Sequence, residues 1–178
     1  AITLKNSGIK VLAIIDSREK LSGELSKIIK KHEFKIFLNH VVSTIHGKYS
    51  VKSVEVAPIT EDGNDLAAQP LKIYTDLVVM SGGWTPIVNL FSQSGGKLEW
   101  DEINSFFKPS QYLQSCLCIG GSNGNFDMQE CIDKTISQSN LILRRIGKKK
   151  QSTIAFKASY LNVDYKSRNI WRIPNGRI

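Results

Sequence analysis

The stretch Ile9-Lys10-Val11-Leu12-Ala13-Ile14-Ile15 is apolar at almost every position and stops at Asp16. It is followed by apolar residues at helical spacing. An apolar run without alternation suits a strand buried on both faces, the usual condition of a parallel sheet. Ser17 can cap the next segment, where Leu21, Leu25, Ile28 and Ile29 form one stripe with lysines opposite. A buried strand feeding an amphipathic helix is half of a βαβ unit, so the expected class is α/β. Ahead of it, Ala1 to Leu4 followed by Asn6-Ser7-Gly8 reads as the end of a helix closed by glycine.

Downstream, Phe34 to Val42 and Ser50 to Val56 read as extended stretches on either side of a turn at Gly47. A polar loop from Thr60 to Gln69 separates them from a further strand over Leu71 to Met80. This order predicts part of a nucleotide-binding α/β unit with a parallel sheet and a β-meander excursion. A loop-rich region then extends to Pro109. Leu113 to Ile119 is expected to be a strand, and Phe126 to Ile146 a helix with Ile132, Ile136, Leu143 and Ile146 on its apolar face.

The charge is uneven. Of 178 residues 24 are basic and 16 acidic, but from Arg144 onward there are ten basic residues against Asp164 alone. The body is nearly neutral, and the basic end reads as a solvated linker or a surface for an acidic partner. Nucleic acid is the alternative occupant, although no nucleic-acid module is recognisable there. With 41% hydrophobic residues the chain can build a core, which excludes a disordered chain, and the absence of their repeat periods and the three cysteines exclude collagen-like, coiled-coil and disulfide-scaffold classes. No run approaches the ~20 apolar residues of a membrane-spanning helix. No basic n-region precedes the first apolar run, so no signal peptide is expected. The start at Ala1 instead of Met suggests a processed or excised piece. Cys116, Cys118 and Cys131 form no C-x-x-C pattern and read as reduced thiols of a cytoplasmic protein. His32, His40 and His46 lack metal-site spacing.

Three constellations could carry chemistry. Asp16 ends a strand where dinucleotide-binding units place the acid that accepts the ribose hydroxyls; the alternative is a simple helix cap. Only 15 residues precede it and no G-x-G-x-x-G is present, so the matching phosphate turn would lie upstream. Arg18, close by, could favour a 2′-phosphate. Gly82-Gly83 follows a buried strand and lets backbone approach a ligand or another strand closely. Gly120-Gly121-Ser122-Asn123-Gly124 precedes a helix, where free N–H groups and the helix dipole could seat a pyrophosphate; the alternative is a βα loop that needs glycine for its geometry.

Asp76 to Pro86 resembles the strand and turn joining the two dinucleotide domains of FAD/NAD-dependent pyridine-nucleotide oxidoreductases, a D-x-x-x-x-A-x-G-x-x-P pattern. The run from Ser81 through Thr85-Pro86-Ile87-Val88-Asn89-Leu90-Phe91 to Leu98, with Trp100-Asp101-Glu102 after it, is narrower. It resembles the alpha subunits of heterotetrameric sarcosine oxidases, with Asn89 where many members have histidine. Ile170-Trp171-Arg172-Ile173-Pro174 looks like the connector that precedes the later domains of those subunits.

The resemblance implies a partial pair of interleaved dinucleotide-binding domains. Residues 1–85 would be most of the inserted second domain, 86–147 the return of the first, and 148–178 a basic linker. It implies an oxidoreductase that demethylates sarcosine to glycine, forming hydrogen peroxide and passing a one-carbon unit to tetrahydrofolate. FAD and FMN would act elsewhere in the holoenzyme, and this region would be associated with NAD. Flavin-binding relatives place an aspartate after the strand glycine to hold the ribityl chain, and Gly121 stands there instead. No catalytic residue is expected. The cofactor contacts implied are Gly120, Gly121, Ser122, Asn123 and Gly124, with Gly82, Gly83 and Asp16. Partners would be the other subunits of the oxidase, and an open sheet edge would favour self-association of the isolated chain. Alternatives are another FAD/NAD-dependent reductase, an opine or amino-acid dehydrogenase subunit, or a basic nucleic-acid-binding module.

Overall fold

A computed structural model describes residues 1–21 and 23–149, together with Lys157, Arg168, Ile170, Arg172 and Ile173. The chain divides into two compact units, residues 1–81 with 167–178, and residues 82–166.

The first unit opens with helix α1 (Ile2–Asn6), closed by Gly8 at φ 83°. Strand β1 (Ile14–Asp16), helix α2 (Gly23–His32) and strand β2 (Ile36–Leu38) follow. β1 and β2 pair in parallel, Ile14 opposite Ile36 and Asp16 opposite Leu38. The expected βαβ unit therefore forms, but β1 is shorter than its apolar run. A strand exists only where a neighbour offers N–H and C=O groups, and β2 meets only Ile14, Ile15 and Asp16. Ile9 and Leu12 stay exposed.

Asn39 then adopts a left-handed conformation, φ 56°. That reverses the chain from the parallel pair into an antiparallel meander. Its strands are β3 (His40–His46), β4 (Ser53–Pro58) and β5 (Leu71–Tyr74), in the order β3-β4-β5. The register slips between Val42 and Thr44. Val41, Val54, Val56, Ala57 and Ile59 are buried here and form the core of the unit. β5 ends at Tyr74 because its partner residue Ser53 is the first of β4. The expected continuation to Met80 has no ladder, and Leu77, Val79 and Met80 are exposed.

The second unit contains helix α3 (Asn89–Gln93), the antiparallel hairpin β6 (Lys97–Asp101) with β7 (Phe106–Gln111), a 3-10 turn (Gly120–Asn123) and helix α4 (Met128–Arg145). The hairpin replaces the expected loop up to Pro109. Trp100 and Phe107 pair across it, edge to face at 5.0 Å. Phe91 and Phe106 are buried. The strand expected over Leu113 to Ile119 does not form a ladder, and Leu113, Leu117 and Ile119 are exposed. α4 matches the expected helix within its ends. Ile146 lies just past it and is exposed. Among the described residues, no helix is long and apolar enough to cross a membrane.

Candidate functional site

In the first unit, Asp16 is the last residue of β1. Helix α2 begins at Gly23, so Asp16 is not the cap of that helix. Its carboxylate is clasped by the residue two positions on. The Arg18 backbone N–H donates to Oδ1 at 2.9 Å, Nε donates to both oxygens at 3.0 and 3.2 Å, and Nη2 donates to Oδ2 at 2.7 Å. Burial pushes this carboxyl up, but the Arg18 side chain, backbone N–H and charge together outweigh it and hold the group below the ordinary aspartate range. A carboxylate so held offers its oxygens to a ribose only if Arg18 shares or releases them.

A carboxyl depressed in the folded state binds fewer protons there than in the unfolded chain. The stability that Asp16 contributes is therefore complete above about pH 4, the unfolded value, and is lost as the pH falls through the folded value. Urea unfolding at pH 7 and pH 3 is expected to show a smaller acid loss in Asp16→Asn than in the wild type. Equal losses in both would mean that the Arg18 clasp does not form in solution.

In the second unit, the residues after Gly82-Gly83 pack against the Gly120-to-Gly124 turn and its aromatic neighbours. Gly124, at φ 76°, packs against the Phe106 ring, and a Cβ there would lie 2.8 Å from it and 3.6 Å from Pro86 Cγ. The Phe126 ring stands edge to face with Phe106 at 5.9 Å and tilts against Trp84 at 6.1 Å. Through these rings the Gly82-to-Pro86 run and the Gly120-to-Gly124 turn share one aromatic floor. Gly82 and Gly83 have open space where a Cβ would be, and Gly121 only ordinary contact with Phe126 at 3.8 Å. Phe106 and Phe126 were not among the expected site residues. The signal available was Phe126 two residues after Gly124, with the adjacent pair Phe106-Phe107 to meet it.

The turn does not feed α4 directly. Residues 124–127 intervene, and the Asp127 carboxylate caps the helix by accepting from the Glu130 N–H at 2.7 Å. A helix end already holding a carboxylate is a weaker seat for a phosphate than a bare one. Within the turn, the Gly124 N–H donates to the Gly121 carbonyl at 3.2 Å, and the Asn125 N–H to the Gly120 carbonyl at 3.1 Å. Ser122 Oγ donates to the Ile119 carbonyl at 2.9 Å, and Asn123 Nδ2 reaches Asn125 Oδ1 at 3.5 Å. The loop is thus ordered largely by its own bonds.

The three cysteines are free thiols. Burial pushes Cys118 and Cys131 up, with neighbouring negative charge adding to it, which makes them poor nucleophiles. Among the described residues no group of three or more His, Cys, Asp or Glu could hold a metal. His46 instead pairs with Glu55 at 2.8 Å.

No family model matches the chain. Three curated relatives do, each named sarcosine oxidase subunit alpha. Those of Corynebacterium sp. strains U-96 and P-1 are 29% and 30% identical over 119 and 118 residues, 66% of this chain in both cases. That of Rhizobium meliloti is 23% identical over 144 residues, 81% of this chain. The chain spans only 12 or 13% of the length of these relatives. Among solved structures, thioredoxin reductase of T. acidophilum superposes with a TM-score of 0.54 at 21% identity, covering 70% of this chain and 41% of that one. This likeness shows the fold alone, an α/β arrangement with a parallel strand pair and an antiparallel meander. The resemblance expected from the sequence is thus met at the level of similarity: over about two thirds or more of its residues, the chain is similar to a small part of sarcosine oxidase alpha subunits.

Proposed function

We propose that the chain is the NAD-associated dinucleotide-binding portion of a sarcosine oxidase-like alpha subunit. In this reading, residues 1–85 belong to the inserted dinucleotide domain, 86–147 to the returning first domain, and 148–178 to the connection onward. The whole enzyme would be an oxidoreductase working with other subunits in the cytoplasm. It would oxidise the CH–NH bond of sarcosine with oxygen, yield hydrogen peroxide and pass the one-carbon unit to tetrahydrofolate, while FAD and FMN act outside this region.

One observation carries the reading: Trp84 and Pro86, which follow Gly82-Gly83, meet the Phe106–Phe126 floor that also packs against Gly124, in a chain similar to those subunits. The open space at Gly82, Gly83 and Gly121 fits a ligand approaching along the backbone. Ser122 and Asn123 would add polar contacts, and Asp16 would face the ribose of a nucleotide in the inserted domain. Gly121 offers no carboxylate to a ribityl chain, which favours a nicotinamide dinucleotide over a flavin. Bound NAD would supply a structural or regulatory ligand in place of a hydride carrier, so these residues bind and orient and none is assigned a catalytic step.

The test is calorimetric titration of NAD into the 178-residue chain and into a longer chain extended upstream to include the glycine-rich phosphate turn of each of the two dinucleotide domains that the resemblance implies. Binding is expected for the longer chain and lost in the shorter. Gly121→Val in the longer chain is expected to weaken it tenfold or more, because its branches would fill the approach. Absence of NAD binding to either chain would overturn the reading.

A further inference from the structure

Four oxygens of the first unit converge on a single guanidinium from the basic end of the chain. Arg168 Nη1 donates to the Ser17 carbonyl at 3.3 Å and to Asn39 Oδ1. Nη2 donates to the Thr60 carbonyl at 2.8 Å and to the Glu61 carbonyl. Glu19 adds a carboxylate 3.9 Å from Nη1, and the Arg168 side chain is only 17% exposed. The acceptors come from three stretches that lie 107 to 151 residues away in sequence.

The walls of this cage are bonded to one another. Asn39 is the keystone: its N–H donates to the Arg18 carbonyl at 2.9 Å, and its carbonyl accepts from the Ile59 N–H at 3.0 Å. Its side-chain Nδ2 donates to the Ile59 carbonyl at 2.9 Å. The loop after Ile59 is closed by Thr60 and Gly63 N–H bonds of 2.9 Å each. A planar fork with two nitrogens can serve two pairs of oxygens at once, whereas an ammonium cannot. Carbonyl oxygens facing a largely buried cation are costly to leave without it.

We propose that this cage is a dock for the Arg168 side chain, and that its docking holds the Ser17–Arg18 loop where Arg18 clasps Asp16. Ser17 is gripped directly, and Arg18 is gripped through Asn39. Arg168 then acts as a fastener beside the tip of β1. Its bearing on nucleotide binding rests on the reading of Asp16 as a ribose contact, but the dock does not.

Hydrogen exchange by NMR on the 178-residue chain, with no ligand added, separates the two. In Arg168→Ala, the amides of Asn39, Ile59, Thr60 and Gly63 are expected to exchange at least tenfold faster, and the Arg18 Nε–H likewise. Amides of β4 are expected to keep their protection. Arg168→Lys, which retains the charge without the fork, is expected to fall between. Unchanged exchange at the four amides would overturn the dock. Faster amides with an unchanged Arg18 Nε–H would overturn the coupling to Asp16. Should the alanine variant not fold, acceleration confined to the cage in the lysine variant supports the dock, and its absence there overturns it.

Discussion

Gly47→Ala is expected to destabilise the first unit by about 3–5 kcal/mol, the sum of a glycine-only backbone conformation and an overpacked contact. Gly47 sits at φ 143° in the turn between β3 and β4. A Cβ placed on it would lie 2.0 Å from the Ser50 carbonyl oxygen, 2.9 Å from the Ser50 carbonyl carbon and 3.2 Å from the Lys52 nitrogen. All three are backbone atoms, so no side chain can rotate away. Relief requires reopening the turn, which costs the Lys52 N–H bond to the His46 carbonyl at 2.8 Å and the register that follows from it. Because β4 is the central strand, the loss reaches β5 as well. Urea unfolding followed by circular dichroism checks this. Gly63→Ala is the control: φ is also positive, 72°, but no atom lies within 4 Å of the added carbon. Only about 1–2 kcal/mol for the left-handed backbone is expected there. Similar losses for both variants would mean that the Ser50 contact relaxes easily.

The same turn shows what a sequence can convey. Glycine between two runs of β-branched residues announces a hairpin, and the hairpin is there. The amphipathic stripe of α2 and the long period of α4 were equally legible, because a helix satisfies its backbone within itself. Leu77 to Met80 and Leu113 to Ile119 were not. Their apolar character states only that they suit burial, whereas a strand is made by its neighbour, and neither finds a ladder among the described residues. The converse error lies at β6 and β7. Leu98 and Trp100 alternate with charged residues, but the region runs from Gly95-Gly96 to Pro109, residues that also suit a loop. Pro109 is tolerated in β7, where only β6 pairs with it.

For the candidate site, residue types were legible and placement was not. Glycine-rich turns mark where backbone is bare, so Gly82-Gly83 and Gly120 to Gly124 stand out in the sequence. What draws them together is the stacking of Trp84, Phe106 and Phe126, three aromatics with no common period. Asp127 was a further omission. Asp-x-x-Glu before an apolar helix is a capping signature, and it places the helix start beyond the glycines. The basic end is a third case. Composition reads it as a solvated linker, yet Arg168 contacts oxygens from three loops, a placement that no local pattern in the chain announces.

Gly124→Ala is expected to cost the second unit about 2–4 kcal/mol, combining left-handed strain with overpacking against an aromatic ring. At φ 76° any side chain is strained, and the added carbon would stand 2.8 Å from both Cε2 and Cζ of Phe106. That ring is buried, and it holds Phe126 edge to face, so it cannot swing out without disturbing the floor beneath the turn. Gly121→Ala separates this packing effect from the ligand effect. Its added carbon meets Phe126 only at van der Waals distance, 3.8 Å, and Gly121 carries no positive φ. A change of no more than about 0.5 kcal/mol is expected, as for surface substitutions in general. Thermal or urea unfolding of the two variants should therefore diverge sharply although they are three residues apart on one turn. If both unfold like the wild type, the Gly124–Phe106 contact is not a constraint, and the aromatic floor does not fix the turn. If Gly121→Ala is as damaging as Gly124→Ala, its position is structural, and weakened NAD binding in a Gly121 variant would no longer point to a ligand contact.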